Sequence, residues 1–451
     1  MVNELRELLR DNVAAPPPDD GGLLGIVSAG RRRVRRRRRV AVGGAALATA
    51  AAVSIGAWAR LDPSPADLVA AGVPRPPGQV VRLADAVPAS EGTDYRTLAS
   101  YTNEDLEADN GEYFDGVTDD GLVLFREGQT ADRDGRYALM DPTTGEKDWL
   151  DGWSSDLQAS PVELGTDRLV IMRAVHDDAD GRVRPELDVF DRGTGTWRTI
   201  GWPTLPDQEG LPQMRIGPDG RAYVSVLTDP GDVPEGGWPT GPDGEADDAD
   251  AEGDVKALWS VSLTDPADVR DEGLRVGDFG FDGDRMVWTD STNGAAGRVH
   301  VRDLVTGDET SFDARLGERC NLLDLDVSGG RIAMTQYCGT YENGVRDDRV
   351  QVMTTEGEQV VTVQDDGVDG GDLVAGGDFL TLTSYDRATS GTYLYDVEGK
   401  RLVRLSEGYS QWTVASGPTP GDQFLWAEPA GSKLGPFGRS GATAHLGEVI
   451  R

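Results

Sequence analysis

Histidine and cysteine are scarce in this sequence. Its 451 residues include two cysteines and three histidines, His176, His300 and His445, and none of the histidines stands in a metal-binding pair such as H-E-x-x-H. The G-x-S-x-G turn that carries the nucleophile of many hydrolases is absent as well. These absences exclude enzyme classes that a short local motif identifies. They do not exclude sites assembled from residues far apart in the chain.

Basic residues are few outside the N-terminal region. The formal net charge is −35, yet residues 1–60 contain 11 Lys and Arg against 5 Asp and Glu. The remaining 391 residues carry 33 basic and 74 acidic side chains, a net charge of −41. Such an acidic region repels nucleic acid and anionic lipid, which argues against a nucleic-acid partner.

The chain has one long uncharged apolar run, and an arginine cluster precedes it. The cluster consists of Arg31, Arg32, Arg33, Arg35, Arg36, Arg37, Arg38 and Arg39. Val40 to Ala59 follow without a charge, and twenty helical residues reach about 30 Å, the thickness of the bilayer core. Arginines hold their end of a span on the cytoplasmic side. We therefore expect residues 31–60 to form a topology signal and one transmembrane helix, with the N-terminus inside.

Two alternatives to this anchor remain. Ala57-Trp58-Ala59 fits the small-x-small site of a secretory signal peptide, so that the chain would be secreted after cleavage near Ala59. A buried globular helix is the other alternative, although eight flanking arginines are unusual for one. The anchor and the signal peptide both place residues 60–451 outside the cell.

The first thirty residues are predicted to be a cytoplasmic tail. Residues 3–13 (NELRELLRDNV) can form a short amphipathic helix capped by Asn3, and the linker AAPPPDDGG follows at residues 14–22. An eleven-residue helix is marginal alone in water. The tail is therefore either a frayed end or a docking peptide, residues 1–22, for a cytoplasmic protein.

Beyond the span, a Pro-rich spacer at residues 61–78 leads into a region of short strands, residues 79–451. A recurring unit begins with a Gly- or Asp-containing turn before an apolar strand, as in Asp219-Gly220-Arg221 before AYVSV. A second strand ending in a polar turn follows, as in VHVRDLVTGDETSF (299–312). Seven units are found, which start near Tyr113, Leu157, Gln213, Leu274, Leu322, Asp372 and Gln411.

This repeat predicts an all-β fold, a seven-bladed β-propeller, with six or eight blades as alternatives. The last unit ends before its fourth strand, and QVVRLA (79–84) is a strand without a unit. Pairing this early strand with the last blade would close the ring and remove free sheet edges. Residues 90–112 have no clear place in the pattern.

The segment RIGPDGRAYVSV (215–226) resembles the Pro-Asp-Gly repeat of TolB-like and WD40-like propellers. The layout of leucine-bearing helix, arginine cluster, single span and outer propeller is similar to membrane proteins of actinobacteria. Some of those are thought to lie beside extracytoplasmic-function sigma factors. The resemblance implies the fold, and it implies an anti-sigma-like role only as an alternative.

Acidic loops are the first candidates for ligand binding. Asp177, Asp178 and Asp180 match part of an EF-hand-like calcium loop. The twelfth position of such a loop supplies a carboxylate ligand, and here it is Leu187. The insertion at residues 228–254 holds further carboxylates, Asp247, Asp248, Asp250, Glu252 and Asp254, without fixed spacing. We interpret both as solvated turns, and we predict no metal, cofactor or catalytic residue.

The two cysteines flank a predicted hairpin, CNLLDLDVSGGRIAMTQYC (320–338). A three-residue turn centred on Gly329 would place Cys320 directly opposite Cys338, close enough for a structural disulfide. A two-residue turn would spoil this register and leave two buried thiols. Export permits the oxidation.

Tryptophans are spread over most units: Trp153, Trp197, Trp202, Trp238, Trp259, Trp288, Trp412 and Trp426. We expect them to wedge between blades, apart from Trp238, which lies in the acidic insertion. The resulting hypothesis is a tethered, extracytoplasmic binding module for a protein, peptide or cell-envelope ligand, without catalysis. The alternatives are a transmembrane regulator whose residues 1–22 hold a cytoplasmic partner, and a propeller-type hydrolase or quinoprotein.

Overall fold

The computed structural model describes residues 79–451, apart from 104–111, 128–134, 154–158, 177–181, 209–211, 232–252, 293–297, 315–319, 341–345, 409–416 and 435–439. The described chain is built from short β-strands, with two 3₁₀ turns at Leu83–Asp85 and Ala375–Gly377. The predicted N-terminal helix, arginine cluster and membrane span lie outside the described residues. Among the residues that are described, no helix is long and apolar enough to cross a membrane.

Three strands precede the repeats: β1 (Val80–Val81), β2 (Val87–Pro88) and β3 (Tyr95–Asn103). Six sheets of four consecutive strands follow, which we number as blades 1 to 6. Blade 1 consists of β4 (Glu112–Val117), β5 (Val123–Glu127), β6 (Arg136–Met140) and β7 (Lys147–Trp149), and blade 2 of β8 (Ala159–Leu164), β9 (Arg168–His176), β10 (Val183–Asp191) and β11 (Thr196–Gly201). Blade 3 consists of β12 (Met214–Ile216), β13 (Ala222–Asp229), β14 (Val255–Val261) and β15 (Val269–Val276), and blade 4 of β16 (Phe279–Asp282), β17 (Arg285–Thr289), β18 (Arg298–Asp303) and β19 (Glu309–Asp313). Blade 5 consists of β20 (Asn321–Ser328), β21 (Arg331–Thr340), β22 (Arg346–Thr354) and β23 (Gln359–Asp365), and blade 6 of β24 (Val368–Val374), β25 (Phe379–Ser384), β26 (Gly391–Asp396) and β27 (Arg401–Arg404). Blade 7 contains β28 (Gln423–Leu434) and β29 (Ser440–Val449).

The N-terminal strand β3 completes blade 7. The order of that sheet is β28-β29-β3, and β3 runs antiparallel to β29 from the pair Tyr95 and Val449 to the pair Asn103 and Ala442. The chain before β3 also adds β1 in parallel to β23 of blade 5 and β2 in parallel to β27 of blade 6. We call residues 79–103 the belt, because they cross the outer edges of three successive blades.

Seven apolar cores show that the ring is closed. Each core joins two neighbouring blades, and the core between blades 7 and 1 contains Ala444 and Leu446 from β29 with Phe114 and Phe125 from blade 1. First strands of neighbouring blades also bond directly at the centre, where Leu373 N donates to Asp326 Oδ2 at 2.7 Å. The seven-bladed propeller predicted from the repeat is therefore the observed fold.

Two details of the prediction are wrong. The unit start at Leu274 falls on β15, the outer strand of blade 3, and blade 4 begins at Phe279. The early segment QVVRLA does not close blade 7, because only Val80–Val81 forms a strand there, beside blade 5. The closing strand is β3, within the residues that the repeat could not place.

In the six complete blades, the first and the last of the three turns within a blade lie on one side of the ring. In each complete blade, the turn from the first to the second strand and the turn from the third to the fourth strand fall on the same side, because successive strands are antiparallel. We call this side the hairpin face, and Asp141–Gly145 and Asp396–Lys400 are examples. The opposite side, the loop face, carries the connections from the second to the third strand and from one blade to the next.

Four of the hairpins share one turn design, and one of them departs from it. The carboxylates of Asp141, Asp191, Asp303 and Asp396 each accept a backbone N–H bond from two or three residues later. The residue four positions after the aspartate is a glycine with φ between 66° and 79° in three turns, Gly145, Gly195 and Gly307. Lys400 occupies this left-handed position in the fourth turn, with φ 53°.

Replacing Lys400 with glycine should therefore raise the stability. A side chain in the left-handed region costs free energy that glycine does not, and we expect the free energy of unfolding to rise by about 0.5–1 kcal/mol. The reverse change in a sister turn, Gly195→Lys, should lower it by about the same amount, since no neighbouring atom would crowd a Cβ there. Urea unfolding monitored by tryptophan fluorescence measures both. A stabilising Gly195→Lys change would contradict this interpretation.

Polar contacts between turns tie neighbouring blades together on the hairpin face. The Asp282 carboxylate of blade 4 accepts from Gly329 N and Gly330 N of blade 5, at 3.0 and 2.7 Å. The Arg192 guanidinium of blade 2 binds both oxygens of Asp120 in blade 1, at 2.7 and 2.8 Å, and lowers the pKa of Asp120 to about 2. These contacts fix the angle between blades at a surface that is otherwise solvated.

Candidate functional site

Charged side chains from three blades converge near the central channel. We call Arg215, Asp278, Asp324 and Asp326 the channel cluster. Burial raises the pKa of Asp278, and the charge of Asp324 raises it further. Burial also raises the pKa of Asp326, while Arg215 opposes the rise at both carboxyls. Arg215 is exposed and comes from blade 3, whereas Asp326 comes from blade 5.

The channel cluster combines one guanidinium group with three carboxyl groups, so it offers both signs of charge to a charged ligand. Carboxyl groups that are held in a buried, mutually repelling arrangement are less stable than the same groups in water, and such arrangements are frequent at functional sites. Each of the three carboxylates also accepts a backbone bond: Asp326 from Leu373 N, Asp278 Oδ1 from Phe279 N at 2.7 Å, and Asp324 Oδ1 from Leu325 N at 3.1 Å. The three carboxylates are therefore oriented by backbone N–H groups of the chain itself.

A second charged group is buried inside blade 5. The first four residues of β22 are Arg346, Asp347, Asp348 and Arg349, and all are at most 8% exposed. Arg349 donates to both oxygens of Asp347 at 2.7 and 2.5 Å, and Gln364 Nε2 donates to the same carboxylate at 2.6 Å. On the other side of the strand, Arg346 and Gly367 N donate to Asp348, whose pKa burial raises to about 6.

Two histidines occupy equivalent positions in blades 4 and 7. His300 lies opposite Trp288 and stacks on it at 4.9 Å, and His445 lies opposite Trp426 and stacks on it at 4.6 Å. His300 contacts a carboxylate with each ring nitrogen, Asp290 at 2.8 Å and Glu309 at 3.1 Å. Trp288 itself lies in the core between blades 3 and 4.

His445 joins a hydroxyl and a carboxylate. Its Nδ1 lies 2.8 Å from Ser100 Oγ on the closing strand β3, and its Nε2 lies 3.3 Å from Glu428 Oε1. Burial lowers the pKa of His445, and Glu428 opposes this shift. A neutral imidazole that bonds a serine hydroxyl is the arrangement of a nucleophile and its base. The backbone of β29, however, pairs with strands on both sides, so its amides are engaged in the sheet.

The cysteine sulfurs of Cys320 and Cys338 are bonded to each other. The route to this pairing differs from the prediction. The turn has two residues, Gly329 and Gly330, which pairs Ser328 with Arg331, and a bulge between Leu322 and Asp324 then shifts the register by one residue. The bulge restores the opposition of the two cysteines that the two-residue turn alone would have removed.

The remaining candidates are only partly described. Asp177, Asp178, Asp180, Asp247, Asp248, Asp250, Glu252, Trp238 and Trp412 lie outside the described residues. No group of three His, Cys, Asp or Glu side chains in the described part of the chain could hold a metal ion. Trp153, Trp202, Trp288 and Trp426 lie in cores between blades, as expected from their spread along the repeat.

The chain was compared with known proteins. A scan against protein-family models found no match, and a search of curated proteins found none. Similar solved structures include the β-propeller domain of the Trilobed protease from Pyrococcus furiosus, with 11% identity and a TM-score of 0.45 over 72% of this chain and 93% of that chain. TolB from Acinetobacter baumannii has 12% identity and a TM-score of 0.33 over 56% of this chain and 53% of that chain.

Acylaminoacyl peptidase from Pyrococcus horikoshii has 11% identity and a TM-score of 0.44 over 76% of this chain. The chain spans about half the length of the TolB and acylaminoacyl peptidase chains, 53% and 52%. At these identities and scores the similarity concerns the propeller fold. The number of blades follows from the seven sheets and seven cores of the chain itself.

Sequence reasoning missed the channel cluster, the buried charges of β22 and the Ser100–His445–Glu428 contact. One signal was present for the last of these. W-x-D at 288–290 and W-x-E at 426–428 stand at the same place in two units, and each is followed by a single histidine on the next strand. The other two groups combine residues that carry no local pattern.

Proposed function

We propose that the chain is a membrane-tethered recognition module. Residues 31–59 anchor it with the N-terminus inside, and the propeller lies outside the membrane and binds a protein, peptide or cell-envelope ligand. The observation that carries the proposal is the convergence of Arg215, Asp278, Asp324 and Asp326 from blades 3, 4 and 5. A rigid closed ring that holds such groups near its channel is suited to binding a charged ligand without chemical change.

The test is retention of cell-envelope molecules by the immobilised full-length protein. Arg215→Gln and Asp324→Asn change the channel cluster, and Arg184→Gln changes a 48% exposed side chain in the Arg184–Asp207 pair of blade 2. We expect a molecule that the unchanged protein and Arg184→Gln retain and that both cluster variants lose. Equal retention by all four proteins would show that the channel cluster is not the recognition site.

The extracytoplasmic location is part of the proposal and has its own readout. Protease added to intact cells should digest the propeller, and the Cys320–Cys338 bond should leave no reactive thiol in the denatured protein until a reductant is added. A propeller that is digested only after lysis, or two thiols that react without reduction, would contradict this location.

A hydrolase is the second candidate, because Ser100, His445 and Glu428 are in contact. In such a reaction Ser100 Oγ would form a bond to an ester carbonyl carbon, and its proton would pass to His445 Nδ1. The alcohol would leave with that proton, and water would then hydrolyse the acyl-serine. A fluorophosphonate probe should label Ser100 if this occurs, and Ser311, opposite His300 in blade 4, is the matched control. An unlabelled Ser100 removes this candidate.

A further inference from the structure

We propose that the propeller presents its loop face outward to ligands and turns its hairpin face toward the membrane. This inference rests on the proposed membrane tether, and it follows from where the chain joins the ring. The first described strand, β1, pairs in parallel with β23, and Thr362 N donates to Gln79 O at 2.8 Å. Because β23 runs from the hairpin face to the loop face, β1 does so as well, and Gln79 is at its end nearer the hairpin face.

The point where the chain joins the ring is held by contacts at the outer edge of blade 5. Arg82 donates to Gln364 O at 2.8 Å, and Leu83 N donates to Asp365 Oδ2 at 3.0 Å. The Leu83 side chain is 2% exposed and lies in the core between blades 5 and 6. A tether that joins the propeller here is attached to a rigid part of it, so the direction of the tether affects which face of the propeller turns toward the bilayer.

The other end of the propeller lies on the hairpin face as well. Arg451 follows β29 and donates to Ala375 O and to Asp422, at 2.9 and 3.1 Å, in the turns of blades 6 and 7. The loop face therefore carries neither end of the propeller. Asp229 and Val255, the residues that flank the connection between β13 and β14, lie on the loop-face side of blade 3.

The acidic turns of the hairpin face indicate that this face does not touch the bilayer. The turns of this face present Asp141, Asp191, Asp303 and Asp396, which anionic head groups repel. The spacer at residues 61–78 has 18 residues, five of them proline. An extended spacer of this composition reaches about 55 Å, well beyond the range of that repulsion, which is about 10 Å.

A matched pair of labels on blade 6 tests the orientation. Glu398 is exposed in a hairpin-face turn, and Arg387 is exposed in the loop-face connection between β25 and β26. Glu398→Cys and Arg387→Cys would each carry a donor dye, with the unsubstituted protein as the blank, since its two cysteines are bonded to each other. The full-length proteins would be inserted into phosphatidylcholine vesicles that contain an acceptor-labelled lipid in the outer leaflet.

The two labels differ in height by roughly 20 Å, the length of the six-residue strand β26. Energy transfer to a plane of acceptors falls with the fourth power of height, so heights of about 55 and 75 Å give about threefold more transfer from position 398 than from position 387. Equal or reversed transfer in protein that floats with the vesicles would overturn the orientation alone. Protein that does not float with the vesicles would overturn the tether, and the orientation with it.

Discussion

Replacing Asp347 with alanine is expected to lower the free energy of unfolding by about 3–5 kcal/mol. The carboxylate is 0% exposed, and it accepts two bonds from Arg349 and one from Gln364. In the alanine variant the Arg349 charge stays buried but has lost the carboxylate that neutralises it. Urea unfolding of the variant and the unchanged protein measures the difference.

The matched control is Asp207→Ala. Asp207 pairs with Arg184 at 3.2 Å, but the two side chains are 34% and 48% exposed. Solvent replaces the lost contact there, and we expect a cost of about 0–1 kcal/mol. Equal costs for Asp207→Ala and Asp347→Ala would contradict the burial of the charged strand β22.

Replacing Leu83 with alanine is the second large effect. The side chain is the buried contact of the belt with the core between blades 5 and 6, and its loss leaves a cavity. We expect the free energy of unfolding to fall by about 2–5 kcal/mol. Limited proteolysis should also cut the belt more rapidly, because the segment before β3 loses its main apolar contact.

Val87 provides the control on the same segment. Its side chain is 46% exposed on β2, so Val87→Ala removes little buried surface and should change the stability by less than about 0.5 kcal/mol. A belt that is cut equally fast in both variants would show that Leu83 does not hold it to the ring.

The propeller could be predicted because its blades are local. Each complete blade consists of four strands that are consecutive in the sequence, so the spacing of turns and apolar strands indicates both the unit and its number. The predicted starts at Tyr113, Gln213 and Leu322 fall within one residue of β4, β12 and β20. Errors of a few residues occurred where two strands are joined by a very short connection, as before Phe279.

The closing strand could not be predicted, because its partner is remote. Residues 95–103 pair with residues 442–449 at the other end of the chain, and a repeat pattern gives no information on such a pairing. The buried charges of β22 are a similar case. The letters RDDR are typical of a solvated turn. Burial is acceptable because each aspartate pairs with an arginine of the same strand and accepts a further bond from Gln364 or Gly367 N.

The disulfide shows a different kind of limit. The prediction paired the correct residues but assumed a three-residue turn without a bulge. The structure has a two-residue turn and one bulge, and the two differences cancel. Gly329 is needed in that turn because an added Cβ would lie 1.5 Å from Gly376 O of the next blade. The close approach of the next blade therefore requires this turn conformation, and the sequence of a hairpin does not show which other blade it contacts.

The channel cluster could not be predicted from the sequence for the same physical reason. Arg215 and Asp326 are more than a hundred residues apart and belong to different blades. Their proximity depends on the curvature of the closed ring. The predicted location depends instead on residues 31–59, which lie outside the described part of the chain.

A cross-link between β3 and β29 tests ring closure most directly. Thr102 and Thr443 are paired across these strands, and their hydroxyl oxygens lie 3.0 Å apart. In the Thr102→Cys/Thr443→Cys protein we expect a peptide pair linked by residues 102 and 443 in mass spectrometry. We also expect a gain in stability of about 2–4 kcal/mol over the unsubstituted protein, in which the Cys320–Cys338 bond is also intact. In the control Thr102→Cys/Thr381→Cys, residue 381 lies in blade 6, and no such link should form. Absence of the 102–443 link under oxidising conditions would contradict a seven-bladed ring closed by its N-terminal strand.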